Sequence, residues 1–338
     1  MLSPLLLLAA PWLLAIPLAH GSPAGISFQY KDWELACDNT LTCRAAGYSG
    51  EQGGLSVLLT RPGGPQGAPS VEMVIADYDE QTPATPRGSK ITLHINGQAR
   101  GTVQERTPFS PPQTEALLRA IKGKGKVTFQ WQGHEVALSG AGAYAVLLKM
   151  DEFQGRLGTV TALTQVGDQP ASRVPPAQAA PLIRAAPVPS GPLRPLSRAE
   201  AGAMAAWLAT QAQEALCDRS EDEPSGTLYR LSPERVLAEL PCWRGAYNAS
   251  SAYIVLGHDL ALNRARLVTT EANHYEQGQI SSAMKGRGLG DCWVSALWIW
   301  NGHAFIQAEE SSSGSCRLIT PGGPWHLPTL TSRVVKAP

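Results

Sequence analysis

The six cysteines have the most reactive side chains of this sequence, and their spacing limits the chemistry open to them. They fall into three sequence-local pairs, Cys37 with Cys43, Cys217 with Cys242, and Cys292 with Cys316. A redox-active pair or a zinc site usually contains a CxxC motif, which does not occur here, and no histidine stands at ligand spacing. Other pairings are open, but local disulfides are the simplest because each pair lies within one supersecondary unit. We therefore expect three disulfides and no bound metal.

Carboxylates are the second group that could do chemistry. Asp291 together with Glu309 or Glu310 could form the pair that glycoside hydrolysis requires. The sequence contains no GxSxG elbow, HExxH or EF-hand pattern. We therefore expect a protein without a cofactor that binds rather than catalyses, and we keep a hydrolase as the alternative.

A glycine-rich basic stretch, residues 285–291 (KGRGLGD), precedes the third cysteine pair. Successive backbone N–H groups could bind an anion there, with Lys285 and Arg287 adding positive charge. The stretch is neither a P-loop nor a dinucleotide fingerprint. The alternative is a simple turn that enters the strand of Cys292.

A hairpin near the C-terminus offers a candidate binding face. Asn301-Gly302 is a strong two-residue turn signal, and it predicts Trp300 opposite His303 and Trp298 opposite Phe305. Further along, the same register pairs Ala296 with Gln307 and Val294 with Glu309, all on one face. The candidate platform residues are Trp298, Trp300, His303, Phe305, Gln307 and Glu309. They could bind an apolar or sugar-ring ligand; alternatively, the helix around Met204 and Trp207 covers the face as core.

Mostly short strands are predicted to position these residues in the first part of the chain. The first element is a hairpin whose strands are linked by a disulfide between Cys37 and Cys43. The predicted strands are 33–37, 43–48, 55–60, 71–77, 90–96 and 127–131, and the predicted helices are 112–122 and 141–153.

The second part begins with a capping box at Ser197–Glu200, which predicts a helix up to Cys217. Ser232-Pro233 predicts the start of a second, short helix. An antiparallel sheet should follow, with strands at 252–257, 265–270, 279–284, 292–300, 303–310 and 330–335.

A proline-rich stretch separates the two parts, and an apolar leader precedes them. We predict a signal peptide at 1–21, a β-rich domain at 22–164, a Pro/Ala-rich linker at 165–196 and an α+β domain at 197–338. No segment of the mature chain is long and apolar enough to span a membrane. The 28 basic and 28 acidic side chains balance, so bulk charge favours no nucleic-acid partner. Export to a bacterial periplasm and its oxidising conditions fit the cysteine pairs.

Several stretches of the chain resemble a bacterial envelope family known only as domain of unknown function 1176. They are 31–39 (KDWELACDN), 43–48 (CRAAGY), 247–253 (YNASSAY), 271–273 (EAN), 285–293 (KGRGLGDCW), 298–302 (WIWNG) and 316–318 (CRL). The first domain is also similar to invasion-associated locus B proteins, through Trp33-x-x-x-Cys37 and 138–141 (LSGA). The resemblance implies export and a two-part architecture, and it implies no catalytic residue.

We therefore predict a disulfide-stabilised, two-domain α+β protein, each domain a largely antiparallel sheet with one or two helices. The preferred function is a non-catalytic envelope binding or interaction module, with an envelope glycan or another envelope protein as partner. The alternatives are a hydrolase of envelope glycan or peptide, and an inhibitor of a secreted or host enzyme.

Overall fold

The computed structural model describes residues 24–50, 54–77, 90–211, 217 and 225–336. Within these residues the chain forms mostly antiparallel sheets, three α-helices and three disulfides, which confirms the α+β prediction at that level. The predicted leader at 1–21 lies outside the described residues, as does most of the predicted helix beyond residue 211. In the described part no helix is long and apolar enough to cross a membrane.

The first sheet contains five antiparallel strands in chain order. They are β1 (Ile26–Tyr30), β2 (Trp33–Cys37), β3 (Cys43–Tyr48), β4 (Leu55–Arg61) and β5 (Ser70–Ile75). Cys37 and Cys43 lie directly opposite each other and are joined, as predicted for this hairpin. One face of the sheet, which includes Leu35 and Leu59, is buried in the first core.

A four-stranded sheet and two helices complete this core. The strands are β6 (Ile91–Ile95), β7 (Gln98–Val103), β8 (Val127–Trp131) and β9 (His134–Leu138), in the order β7-β6-β8-β9; the helices are α1 (Pro111–Ile121) and α2 (Ala143–Phe153). Ser110 caps α1, and the prolines of its first turn need no hydrogen-bonded N–H. Gly142 at the start of α2 has φ of +96°, and a Cβ there would lie 2.0 Å from the Tyr30 carbonyl oxygen.

The proline-rich segment at 165–196 contains a short 3₁₀ helix (Ala171–Arg173) and two short strands, β10 (Leu182–Ala185) and β11 (Pro192–Pro195). β10 pairs in parallel with the C-terminal strand β21 (Arg333–Lys336), and Ile183 is buried against Ile299. β11 lies at the edge of a sheet, where a proline removes no ladder hydrogen bond.

Two five-stranded antiparallel sheets form the second part of the molecule. The third sheet contains β11, β12 (Thr227–Arg230), β13 (Arg235–Arg244), β14 (Ala249–Gly257) and β15 (Arg266–Ala272); the fourth contains β16 (His274–Glu276), β17 (Gln279–Lys285), β18 (Trp293–Trp300), β19 (Phe305–Ser312) and β20 (Leu327–Leu330). The helix predicted at Ser232 is wrong. The Ser232 hydroxyl oxygen accepts the N–H groups of Glu234 and Arg235, which makes a turn, and β13 begins at Arg235.

Helix α3 (Arg198–Thr210) starts at the predicted capping box. Its Met204 and Leu208 pack on one face of the third sheet, against residues such as Leu240. The opposite face of that sheet packs on the fourth sheet through Leu237 and Trp300. The third sheet therefore separates α3 from the hairpin of Trp300.

Candidate functional site

The loop between β18 and β19 sets the register of the candidate binding face. It contains four residues, 301–304, because the Asn301 side-chain oxygen accepts the N–H groups of His303 and Ala304, each at 2.9 Å. Trp300 therefore pairs with Phe305. The predicted two-residue turn and its cross-strand pairs are wrong.

A β-bulge changes the register again further along the hairpin. Trp298 pairs with Gln307, whereas Leu297 pairs with Glu309 and Ala296 with Glu310. Glu310, and not Glu309, consequently shares the face of Trp298. Glu309 lies beside His326 instead, whose Nε2 is 2.8 Å from its carboxylate.

Trp300 is a core residue at one end of this face, with 1% of its surface exposed. Its ring centroid lies 5.3 Å from that of Phe305, and both pack in a cluster with Leu237 and Tyr253 of the third sheet. The helix around Met204 and Trp207 does not cover it, because α3 lies on the far side of that sheet.

The other end of the same face opens into a cavity of about 720 Å³, which we call the cleft. The half-buried Trp298 lies where the core ends and the cleft begins. Its lining comes from β1 and β2 of the first sheet, from β13 and β15 of the third sheet, and from β17, β18, β19 and β20 of the fourth sheet. The principal lining side chains are Ser27, Gln29, Glu34, Trp243, Glu271, Ser282, Met284, Val294, Ala296, Trp298, Gln307 and Glu310.

The charged groups of the cleft all have the same sign. Glu34, Glu271 and Glu310 line it, and none of its lining residues in the described part of the chain is Lys, Arg or His. Glu34 accepts hydrogen bonds from the Tyr48 hydroxyl and from the Ser315 N–H at 2.7 Å. Burial, followed by the charge of Glu34, raises the pKa of Tyr48 well above its ordinary value. Tyr48 therefore remains a neutral donor to this carboxylate.

The other two carboxylates of the cleft are exposed. Glu271 is fixed through its main chain, because its carbonyl oxygen accepts the Ser282 hydroxyl at 2.6 Å. The Gln307 side-chain amide donates to Glu310 at 3.3 Å. Both carboxylates are therefore exposed groups of the cleft, and that of Glu310 is held by Gln307.

A smaller cavity of about 310 Å³ adjoins the cleft at Trp298 and Gln307, which line both. His303 and Phe305 also line this side cavity, together with Arg266 of β15. Of the six predicted platform residues, the structure therefore brings Trp298, His303, Phe305 and Gln307 to open surfaces. It places Trp300 in the core and Glu309 on the opposite face.

The residues predicted as an anion loop already have partners. The Arg287 guanidinium binds both carboxylate oxygens of the fully buried Asp291, at 2.7 and 2.5 Å. The Lys285 ammonium lies 5.5 Å from the centre of the Trp293 ring. Burial raises the pKa of Asp291, but the hydrogen bonds from Arg287 and the Leu318 N–H outweigh it and hold that pKa below its ordinary value. Anion binding by this loop stays a prediction.

The two remaining predicted disulfides are present. Cys217 is bonded to Cys242 and Cys292 to Cys316, with Cα atoms 4.5 and 4.8 Å apart. Asp291 lies close to the last pair, within a group whose ligand atoms are all within 4.8 Å. The two sulfur atoms form a disulfide and the carboxylate is paired with Arg287, so these three residues stabilise the fold.

The sequence singled out neither Trp243 nor the carboxylates of Glu34 and Glu271 as site residues. Glu34 and Glu271 fall within the stretches 31–39 and 271–273, which also gave the family resemblance. That resemblance was therefore an available signal for two of the cleft carboxylates.

Comparison with known proteins agrees with the resemblance. The profile of the family described as "Protein of unknown function (DUF1176)" matches residues 27–332. The chain belongs to this family. It is also 25% identical over 341 residues to "Uncharacterized protein YpfG" of Escherichia coli (strain K12), covering 94% of each chain. No solved structure matches the chain. The matched range contains every cleft-lining residue named above.

Proposed function

We propose that this member of the DUF1176 family is an exported, non-catalytic binding module whose ligand occupies the cleft. The observation that supports this is the position of Trp298, a half-buried indole at the edge of an open cavity of about 720 Å³. Ligand sites are typically cavities of about 300–1,000 Å³ with aromatic walls and a few fixed polar groups. Trp243 provides a second indole, and Gln307 and Glu310 provide polar groups.

The proposal includes export by the leader at 1–21 and two domains, 22–164 and 197–338, joined by the segment 165–196. Three disulfides are compatible with an oxidising compartment. The walls of the cleft come from both proposed domains, with Glu34 on one side and Trp298 on the other. Ligand sites occur preferentially at such domain interfaces.

The contacts of the carboxylates favour binding over hydrolysis. Asp291, the carboxylate common to both predicted pairs, is buried and held by Arg287. Glu34 is held by Tyr48 and Ser315. Glu271 and Glu310 are the two exposed carboxylates of one cleft, and they are therefore the pair on which the hydrolase alternative now depends.

The test is sedimentation of the oxidised mature protein with purified envelope sacculi, followed by mass spectrometry of the supernatant. We expect protein in the pellet and no released fragments. Trp298→Ala should abolish pelleting, whereas Tyr144→Ala, an exposed aromatic residue of α2, should not change it.

Two results would overturn the proposal. Fragments released by the wild type but not by Glu310→Gln would replace binding with hydrolysis. Pelleting that Trp298→Ala leaves unchanged would remove the cleft as the binding site.

A further inference from the structure

The outer strand of the first sheet lines the cleft. Among the described residues β1 pairs with β2 and with no other strand. The cleft is lined by three successive residues of β1, Ser27, Phe28 and Gln29. Ser27 and Gln29 lie on the same face of the sheet as Ala36 and Glu34 of β2, which also line the cleft, so the cleft extends over this face to the outer strand.

Main-chain N–H and C=O groups of β1 that do not bond to β2 are available to a further strand. Among the described residues, no main-chain hydrogen bond joins residues 26–30 to any segment other than β2. An edge strand presents a row of N–H and C=O groups, and an extended peptide can add to it as a further strand. β1 has five residues, which gives a pairing length of about 17 Å.

The negative charge of the cleft should favour peptides with basic side chains. Glu34, Glu271 and Glu310 face the space next to β1, and no cationic side chain lines it in the described part of the chain. Lysine or arginine side chains of a ligand would complement these carboxylates. Their aliphatic stems would pack on apolar wall residues, and their cationic groups are attracted to the faces of indole rings such as those of Trp298 and Trp243.

We infer that the cleft binds an extended segment of a partner protein that carries lysine or arginine side chains and adds to β1 as a sixth strand of the first sheet. This inference rests on the proposed function and specifies the ligand of the cleft as a peptide segment with basic side chains. The main-chain edge supplies affinity, and the carboxylates supply the preference for basic side chains.

The test is fluorescence anisotropy with a labelled, end-blocked peptide of about five alternating lysine and valine residues, which matches the length of β1. We expect saturable binding to the oxidised protein. A glutamate–valine peptide of equal length should bind at least roughly tenfold more weakly. Two versions of the lysine peptide, methylated on alternate sets of backbone nitrogens, separate strand pairing from charge. At least one of them should also bind roughly tenfold more weakly.

Variants of the protein test whether the peptide binds in the cleft. The double variant Glu271→Gln/Glu310→Gln should weaken the lysine peptide roughly tenfold, whereas Glu276→Gln, an exposed carboxylate of β16, should leave it unchanged. Equal binding of both methylated peptides, or spermidine competing as strongly as unlabelled peptide, would overturn strand addition. No binding of the lysine peptide would overturn the inference as a whole.

The two assays distinguish a failure of this inference from a failure of the proposed function. If sacculi sediment the wild type but not Trp298→Ala, and the lysine peptide does not bind, the cleft remains the binding site and its ligand is not a basic peptide. If Trp298→Ala changes neither assay, both proposals fail.

Discussion

The indole N–H of Trp325 donates a hydrogen bond of 2.8 Å to the hydroxyl oxygen of Ser56, which lies 269 positions earlier in the chain. Ser56 in turn donates to the carbonyl oxygen of Gly47 at 2.9 Å. Around this contact, Ile319 and Leu327 pack with Trp325 on the outer face of the first sheet. The C-terminal segment therefore shares a core with strands from the start of the chain.

Graded substitution of Trp325 should measure this coupling. Trp325→Phe removes the hydrogen bond but keeps a ring, so we expect a loss of about 1 kcal/mol in the free energy of unfolding. Trp325→Ala also leaves a cavity, and we expect a loss of about 3–5 kcal/mol. Urea denaturation of the oxidised protein, followed by circular dichroism, measures both. Equal losses for the two variants would contradict this account of the contact.

Local signals in the sequence predicted much of the secondary structure. Helix α1 and the hairpin of Cys37 and Cys43 follow from proline at a first turn and from a turn flanked by cysteines. The error at Ser232 has the same local origin. A serine followed by proline is compatible with either a helix cap or a turn, and the pairing of β13 with β12 and β14, which decides it, is non-local.

The candidate site was predicted only in part, because a cleft depends on contacts between distant segments. Period-two alternation placed Trp298 and Gln307 on one face, as observed. The sequence did not reveal that Asn301 would stabilise a four-residue loop. Nor did it reveal that a bulge would place Glu310, instead of Glu309, on the face of Trp298. Glu34, which also lines the cleft, comes from the other end of the chain, and no local pattern predicts that approach.

Trp298 and Trp300 should respond differently to the same substitution. Trp300→Ala empties a fully buried site between two sheets, so we expect a loss of about 3–5 kcal/mol in the free energy of unfolding. Trp298→Ala removes a half-buried ring that lines the cleft, so we expect a smaller loss of stability and abolished pelleting with sacculi. Urea denaturation and sedimentation of both variants make the comparison. Equal losses of stability would place Trp298 in the core and remove it from the site.

A buried ion pair fixes the end of α2 against β4. The Arg61 guanidinium lies 3.1 Å from the carboxylate of the fully buried Asp151, which also accepts the N–H groups of Leu163 and Thr164 at 2.8 Å. Burial and the nearby charge of Arg156 lower the pKa of Arg61 to about 10.

Asp151→Asn would leave Arg61 and Arg156 buried without the carboxylate. We therefore expect a loss of about 3–5 kcal/mol in the free energy of unfolding, measured by urea denaturation. The neighbouring Glu152 forms an exposed pair with Lys149, so Glu152→Gln should cost less than about 1 kcal/mol. A comparable loss in both variants would mean that the buried pair has no special role.

Glu200 should make α3 sensitive to acid. Its carboxylate accepts two hydrogen bonds from the Arg194 guanidinium, at 2.6 and 2.8 Å, and one from the Ser197 N–H at 2.8 Å. The bonds from Arg194, followed by that from Ser197, lower the pKa of Glu200 from 4.5 to about 2. Because the folded-state pKa is the lower one, the stabilisation is complete above pH 4.5 and is lost as the pH falls towards 2.

Glu200→Gln removes this charge while keeping a side chain that can accept the Ser197 N–H. The variant should be less stable than the wild type by about 0.5–1 kcal/mol at neutral pH, and the difference should shrink to nearly zero at about pH 2. Urea denaturation midpoints measured across this range give the difference directly. Glu234→Gln, an exposed carboxylate just before β13, is the control and should show no comparable convergence. A difference that persists unchanged at about pH 2 would mean that the carboxylate acts through its shape and not through its ionisation.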